Sequence, residues 1–214
     1  MNWLDNGVTR FLGKVADFMI LNILWIVCSI PIITIGASTT AMYSVMLKLV
    51  KNEEGYIAKG FLKAFKDNLK QSTLIWLLYL IFGIVIAVDF RLLGIMNPSI
   101  RTVIQVFLIF MSILLISMGI YGFALQARYE NTVKNTLKNA LILTVAKMPY
   151  TLLMLVITVA PVIITFLTVR TLLLGSLLWI LLGVAVVVWL NSMILRKVFL
   201  IFEDAEEPDE TEKV

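Results

Sequence analysis

From Val15 to Leu195 the chain alternates between long apolar runs and short polar or basic stretches. Several runs approach about 20 residues, which as an α-helix at 1.5 Å per residue matches the roughly 30 Å hydrocarbon core of a bilayer. A soluble domain must cover its surface with polar groups. With 60% hydrophobic and 15% charged residues, this chain has too few. The pattern predicts an all-α polytopic transmembrane bundle of six spans, built as helical hairpins, with five spans as the alternative.

The runs can be placed one by one. Residues 1–14 carry Leu4, Val8, Phe11 and Leu12 at helical spacing, with Arg10 and Lys14 among them. This reads as an amphipathic lead-in at the interface. A first span covers Val15 to Ile35, where Pro31 breaks the helical ladder and Gly36 permits a tight turn. The next run, Ala37 to Val50, is short; it spans if it starts near Ile33 and if Lys48 and Lys51 snorkel outward. Residues 51–71 are basic. Ile57, Phe61, Phe65 and Leu69 recur four apart, with Lys59, Lys63, Lys66 and Lys70 on another face, predicting a short surface helix. Further spans are expected at Ser72–Leu93, Val103–Gln126, Pro149–Leu167 and Leu172–Leu195, with a second basic segment at 127–147. Residues 1–202 form one membrane domain; 203–214 are acidic and are expected to be a disordered cytoplasmic tail.

Charge orients the chain. With six spans, 15 of the 18 basic residues fall on the side of the termini, and only Arg91, Arg101 and Arg170 fall opposite. Cytoplasmic loops are the ones enriched in Lys and Arg. Both termini are therefore expected in the cytoplasm. The five-span reading moves Arg10 and Lys14 across and keeps every other assignment.

The chemistry excluded is considerable. The chain has no histidine, the commonest metal ligand and proton shuttle, and one cysteine, Cys28, so no intrachain disulfide. No phosphate-binding loop or nucleophile–base pair is visible. The reading is a non-enzyme with no cofactor and no metal, whose partners are the lipid bilayer and another membrane protein rather than nucleic acid. A weak internal likeness links Tyr43–Glu53 with Tyr121–Glu130: an aromatic start, a Leu four residues on, and a basic-then-acidic finish.

The motif Leu21-Asn22-Ile23-Leu24-Trp25, followed by Pro31-Ile32-Ile33-Thr34-Ile35-Gly36-Ala37, is the most specific in the chain. With Phe65–Gln71, Leu137–Leu141 and Phe202-Glu203 it closely resembles the YesL-like family of uncharacterised bacterial membrane proteins. The resemblance implies a multi-pass protein of the bacterial cell membrane. Members are commonly encoded near carbohydrate ABC importers, which implies an accessory role beside an ABC-type sugar permease. A small transporter or channel in its own right is the alternative.

Candidate residues follow from cost. An amide in hydrocarbon needs a partner, so Asn22 reads first as helix glue and second as a ligand-lining group. Trp25 sits too deep for an interfacial belt and reads as packing. Pro31, Thr34 and Gly36 read as a turn, or as broken helix exposing backbone to a ligand. Charge at mid-bilayer costs roughly 2.5–3.5 kcal/mol on insertion scales. Asp89 and Arg91 are therefore read at a span end, with Asp89 paired to Arg91 or Arg101, or as a substrate or proton site. Lys59, Lys63 and Lys66 form a candidate cytoplasmic docking face for anionic lipid or a partner protein.

The orientation is testable directly. Single cysteines at positions 2 and 211, in a Cys28→Ala background, are expected to resist an impermeant thiol reagent in intact cells. Labelling at position 2 alone would replace six spans by five.

Overall fold

The structure is a computed structural model describing residues 7–51, 53 and 55–204; the lead-in before Gly7 and the tail after Asp204 lie outside the described residues. Within them the fold is all α-helix. Six helices are long and apolar enough to cross a membrane, and no strand occurs among the described residues.

Helix α1 (Gly7–Ser29) absorbs the described part of the lead-in and runs straight into the first span. The chain then reverses. Pro31 lacks a backbone N–H and heads a one-turn 3₁₀ segment, Ile32–Thr34. The Thr34 hydroxyl lies 2.6 Å from the Cys28 carbonyl and 2.7 Å from that of Pro31, occupying acceptors that the end of α1 leaves free. Helix α2 (Ile35–Val50) follows directly. With the turn it forms the segment Ile32–Val50, long enough to cross despite its short apolar run.

Helix α2 is the centre of the bundle. Gly36, Ala37, Ser38, Thr40, Ala41, Met42, Tyr43 and Met46 are all buried, and α1, α3, α4 and α8 pack around it. Hydrocarbon provides no hydrophobic drive between helices, so close packing of small side chains must hold them. At Gly36 the backbones meet. A Cβ there would collide with the Ser72 carbonyl and stand 2.5 Å from the Trp76 Cβ. One step away, the Trp76 indole N–H donates to the Ile32 carbonyl at 2.8 Å, tying the turn to α3.

Helix α3 (Ile57–Leu92) corrects one expectation. The basic stretch is not a separate surface helix; it is the opening of a single helix of 36 residues, about 54 Å long. The reason is local: Lys70-Gln71-Ser72-Thr73 contains neither Gly nor Pro, so nothing interrupts the hydrogen-bond ladder where polarity changes. Beyond Trp76 the helix continues for 16 residues, about 24 Å, before α4 (Pro98–Arg128) returns. Pro98 opens α4 at a first-turn position, where its missing donor is harmless.

The second basic segment forms α5 (Val133–Ala146), capped by the Thr132 side chain. It stops at Lys147 because Pro149 follows in the first turn of α6 (Met148–Thr165). Helix α7 (Val169–Leu178) starts at a Thr168/Thr171 capping box. A π turn, Trp179–Gly183, joins it to α8 (Val184–Asp204), so the expected last span is interrupted. Tyr43 and Tyr121, which head the internal likeness, take similar places. Each is buried seven residues before the last residue of its helix, and each helix leads through a short linker to a helix with a basic start. Large apolar side chains such as Ile81, Phe107, Val156 and Leu173 face outward, as a bilayer solvent requires.

The Gly36 contact should set the α2–α3 spacing. Gly36→Val is expected to lower the detergent melting temperature, at a cost of about 1–3 kcal/mol for overpacking. Gly13→Val, where a Cβ meets nothing within 4 Å, serves as the control. Equal melting of the two variants would refute the role of Gly36.

Candidate functional site

The motif of the first hairpin does not converge on one cavity. Its residues reach three different neighbours. Asn22 is fully buried. Its Nδ2 donates to the carbonyls of Trp179, at 2.9 Å, and Ile180, at 2.7 Å. Its Oδ1 accepts from the Ala185 N–H at 3.0 Å. These groups flank and form the π turn, where the wider spiral breaks the i→i−4 pattern and frees backbone donors and acceptors. One amide therefore completes the hydrogen bonding of the break. Gly183 makes room for the Trp179 ring, which a Cβ there would strike. The Trp179 indole in turn donates to the Thr165 hydroxyl of α6 at 2.9 Å.

Trp25 donates to the Thr39 hydroxyl of α2 at 3.1 Å, while Thr34 and Gly36 make the turn and the α3 contact already described. Pro31 is exposed at the tip. Asp89 and Arg91 lie near the far end of α3, well over 10 residues beyond Trp76, and join no part of this motif. Among the described residues no ion pair links Asp89 to Arg91 or Arg101. Positions two apart on a helix do not face one another, and Arg91 and Arg101 are both exposed.

The basic residues do line a site. A cleft of about 1000 Å³ opens where the early turns of α1, the end of α2 and the start of α3 meet. Its walls include Lys14, Asp17, Glu53, Tyr56 and Lys59. An adjoining recess of about 340 Å³ adds Ser44, Lys48 and Lys63. Tyr56 is 87% exposed, an aromatic ring held at the rim. Lys66 lies further along α3, exposed and outside both walls. On this rim Lys51 pairs with Glu53 at 3.8 Å, a solvent-exposed contact worth little. The cleft thus offers several lysines, one rim aromatic and two carboxylates: chemistry for an acidic or mixed-charge polypeptide.

A second feature escaped the sequence reading. Gln126 on α4 donates to the Gln71 side chain at 2.6 Å and accepts from the Thr136 hydroxyl at 3.2 Å, joining α3, α4 and α5. Asn191 on α8 donates to Thr158 of α6 at 3.0 Å. Both carry the signal that marks Asn22, an amide within an apolar run. Around them, the hydroxyls of Thr40, Ser72, Ser117 and Ser192 are buried without a partner, forming a polar seam around α2.

Comparison with known proteins agrees with the resemblance seen in the sequence to an uncharacterised family. Residues 18–90 match the family described as "Protein of unknown function, DUF624". The matched stretch contains the first-hairpin motif and most of the cleft lining. The chain is also similar to the "Uncharacterized protein YteU" of Bacillus subtilis (strain 168). The two are 27% identical over 157 residues, covering 71% of this chain and 69% of the relative. No solved structure matches.

The Asn22 clamp needs two donors and one acceptor, not mere polarity. Orphaning a buried backbone group costs about 1–3 kcal/mol. This exceeds the 0.6 kcal/mol typical of interhelical bonds in membranes. Asn22→Leu is therefore expected to lower detergent melting clearly. Asn22→Asp should be at least as damaging, because its carboxyl faces the Trp179 and Ile180 carbonyls. Wild-type melting of the Asp variant would disprove the clamp.

Proposed function

We propose that the protein is a non-enzymatic accessory of a bacterial carbohydrate uptake system, docking an ABC-type sugar permease through its cytoplasmic basic face. The observation that carries this reading is the unbroken α3. Lys59, Lys63 and Lys66 stand exposed on a helix that continues into the bundle, so the docking face is presented rigidly. A rigid surface loses less entropy on binding than a loop that must first be ordered. The cleft beside it, with Tyr56 at the rim and mixed charge within, suits a polypeptide surface better than a small solute. The link to sugar uptake rests on the family resemblance in the sequence. Both termini and this face belong to the cytoplasm of a bacterial cell in this reading.

The second reading, a small transporter, is favoured by the polar seam around α2, where buried hydroxyls have no partner. One comparison separates the two. The chain and its Lys59→Gln/Lys63→Gln/Lys66→Gln variant are purified in mild detergent from cells grown on a transported sugar. Co-purifying proteins are quantified by mass spectrometry. Permease subunits are expected with the parent chain and severalfold less with the variant, at unchanged melting temperature. Equal recovery, or no permease with either, would reject docking by this face. Solute flux into liposomes holding only this protein would then move the assignment to a transporter. Loss of binding to anionic vesicles, with no protein partner, would make the face a lipid contact instead.

A further inference from the structure

The outward faces of α3 and α4 do not close on one another. Between them runs a groove of about 260 Å³, walled by Leu78, Phe82 and Ile86 of α3 and by Met111, Leu114 and Met118 of α4. Leu78 to Ile86 is eight residues, so the groove is about 12 Å long. Tyr79 contributes only its ring, because its hydroxyl donates to the Met118 carbonyl at 2.9 Å. The lining is therefore wholly apolar. Phe82 is exposed, as are Ile81 and Ile113 beside it, so the groove opens onto the surface that faces hydrocarbon. Such a hollow offers water no hydrogen bonds, and left empty it forfeits dispersion contacts along its walls. Its volume is below the roughly 300–1,000 Å³ of pockets for compact ligands. A single slender hydrocarbon chain suits it.

One end of the groove is marked by charge. Leu137 of α5 joins the lining there. Helix α5 meets the Leu78–Met118 end, because Thr136 donates to Gln126, eight residues beyond Met118 on α4. Lys134 precedes Leu137 by about one turn and Lys138 follows it; both are exposed. Neither α4 nor α5 contains a carboxylate. On α3, Asp67 lies 11 residues before Leu78, and Asp89 lies three beyond Ile86, at the opposite end. We propose that this groove binds an anionic phospholipid, one acyl chain lying between α3 and α4 and the phosphate meeting Lys134 and Lys138. The order of features along the site, an apolar length and then a cationic end, is the order of groups in such a lipid. The site is separate from the docking face, whose Lys59, Lys63 and Lys66 lie on earlier turns of α3.

The test uses the full chain in mild detergent. A phosphatidylglycerol carrying a photoactivatable diazirine in one acyl chain is added and illuminated. Adducts are expected on the peptides that hold residues 78–86 and 111–118, well ahead of the outward faces of α6 and α7. Native mass spectrometry then measures binding of dioleoyl phosphatidylglycerol and dioleoyl phosphatidylcholine. The parent chain should hold one tight equivalent of the anionic lipid. Lys134→Gln/Lys138→Gln should weaken it by roughly thirtyfold, the worth of two lysines at an anionic surface, to the level of the zwitterionic lipid. Leu114→Trp, which fills the groove, should remove the tight equivalent. Ile109→Trp, exposed on α4 outside the lining, should not. Detergent melting shows whether each variant is folded, and photolabelling of the parent chain locates the site even if one is not. Adducts spread evenly over the apolar surface, equal affinity for the two lipids, or unchanged binding by folded Leu114→Trp would overturn the proposal. So would a dimer that Leu114→Trp splits while lipid binding persists, since the groove would then hold a second copy.

Discussion

Hydrocarbon supplies no hydrogen bonds, so every backbone donor and acceptor within it must find a partner in the protein. This constraint explains why the described spans are helical and why several of their interruptions carry a side-chain device. At the first turn, Thr34 occupies the carbonyls of Cys28 and Pro31. At the last interruption, Asn22 reaches from a different helix to the two carbonyls and the N–H of the π turn. Thr168 caps α7, and Arg196 closes the end of α2. The folded bundle is a set of helices whose breaks occur where a neighbour can complete them.

The elements most legible in the sequence were those set by hydropathy. Apolar runs and Pro/Gly punctuation located all six spanning segments, because span length is fixed by bilayer thickness, though α1 ends at Ser29 rather than Ile35 and α3 begins at Ile57 rather than Ser72. Polarity misled where it changed without a breaker. The Lys-rich stretch before Ser72 looked like a separate helix, yet helix continuity depends on backbone compatibility rather than on side-chain charge. The π turn was equally hidden. Its residues, Trp179 to Gly183, are apolar, and the amide that completes its hydrogen bonding lies on α1, more than 150 positions away. The candidate cleft was half visible. Lys59 and Lys63 stood out, but Lys14, Asp17 and Tyr56 join them only through tertiary packing.

The burial of α2 inverts the usual expectation for a membrane helix. It is the shortest of the apolar runs in the sequence and the most enclosed in the fold. It also carries Ser38, Thr39, Thr40 and Tyr43 on faces that meet other helices. A helix surrounded by protein need not satisfy lipid, so it can afford polar atoms that lipid-facing helices cannot. That is why the polar seam lies around α2 and the outward faces of α3, α4, α6 and α7 are apolar.

The two halves of the bundle also differ mechanically. Helix α3 passes from the basic turns into the apolar region as one shaft, so a twist or tilt at its basic end carries through to Leu92. The corresponding stretch in the second half is jointed at Lys147, where α5 stops and Pro149 starts the next helix, so it can flex there and dissipate the same movement. Torque applied at the basic end of the bundle should therefore travel along one side of the molecule and die out at an elbow on the other.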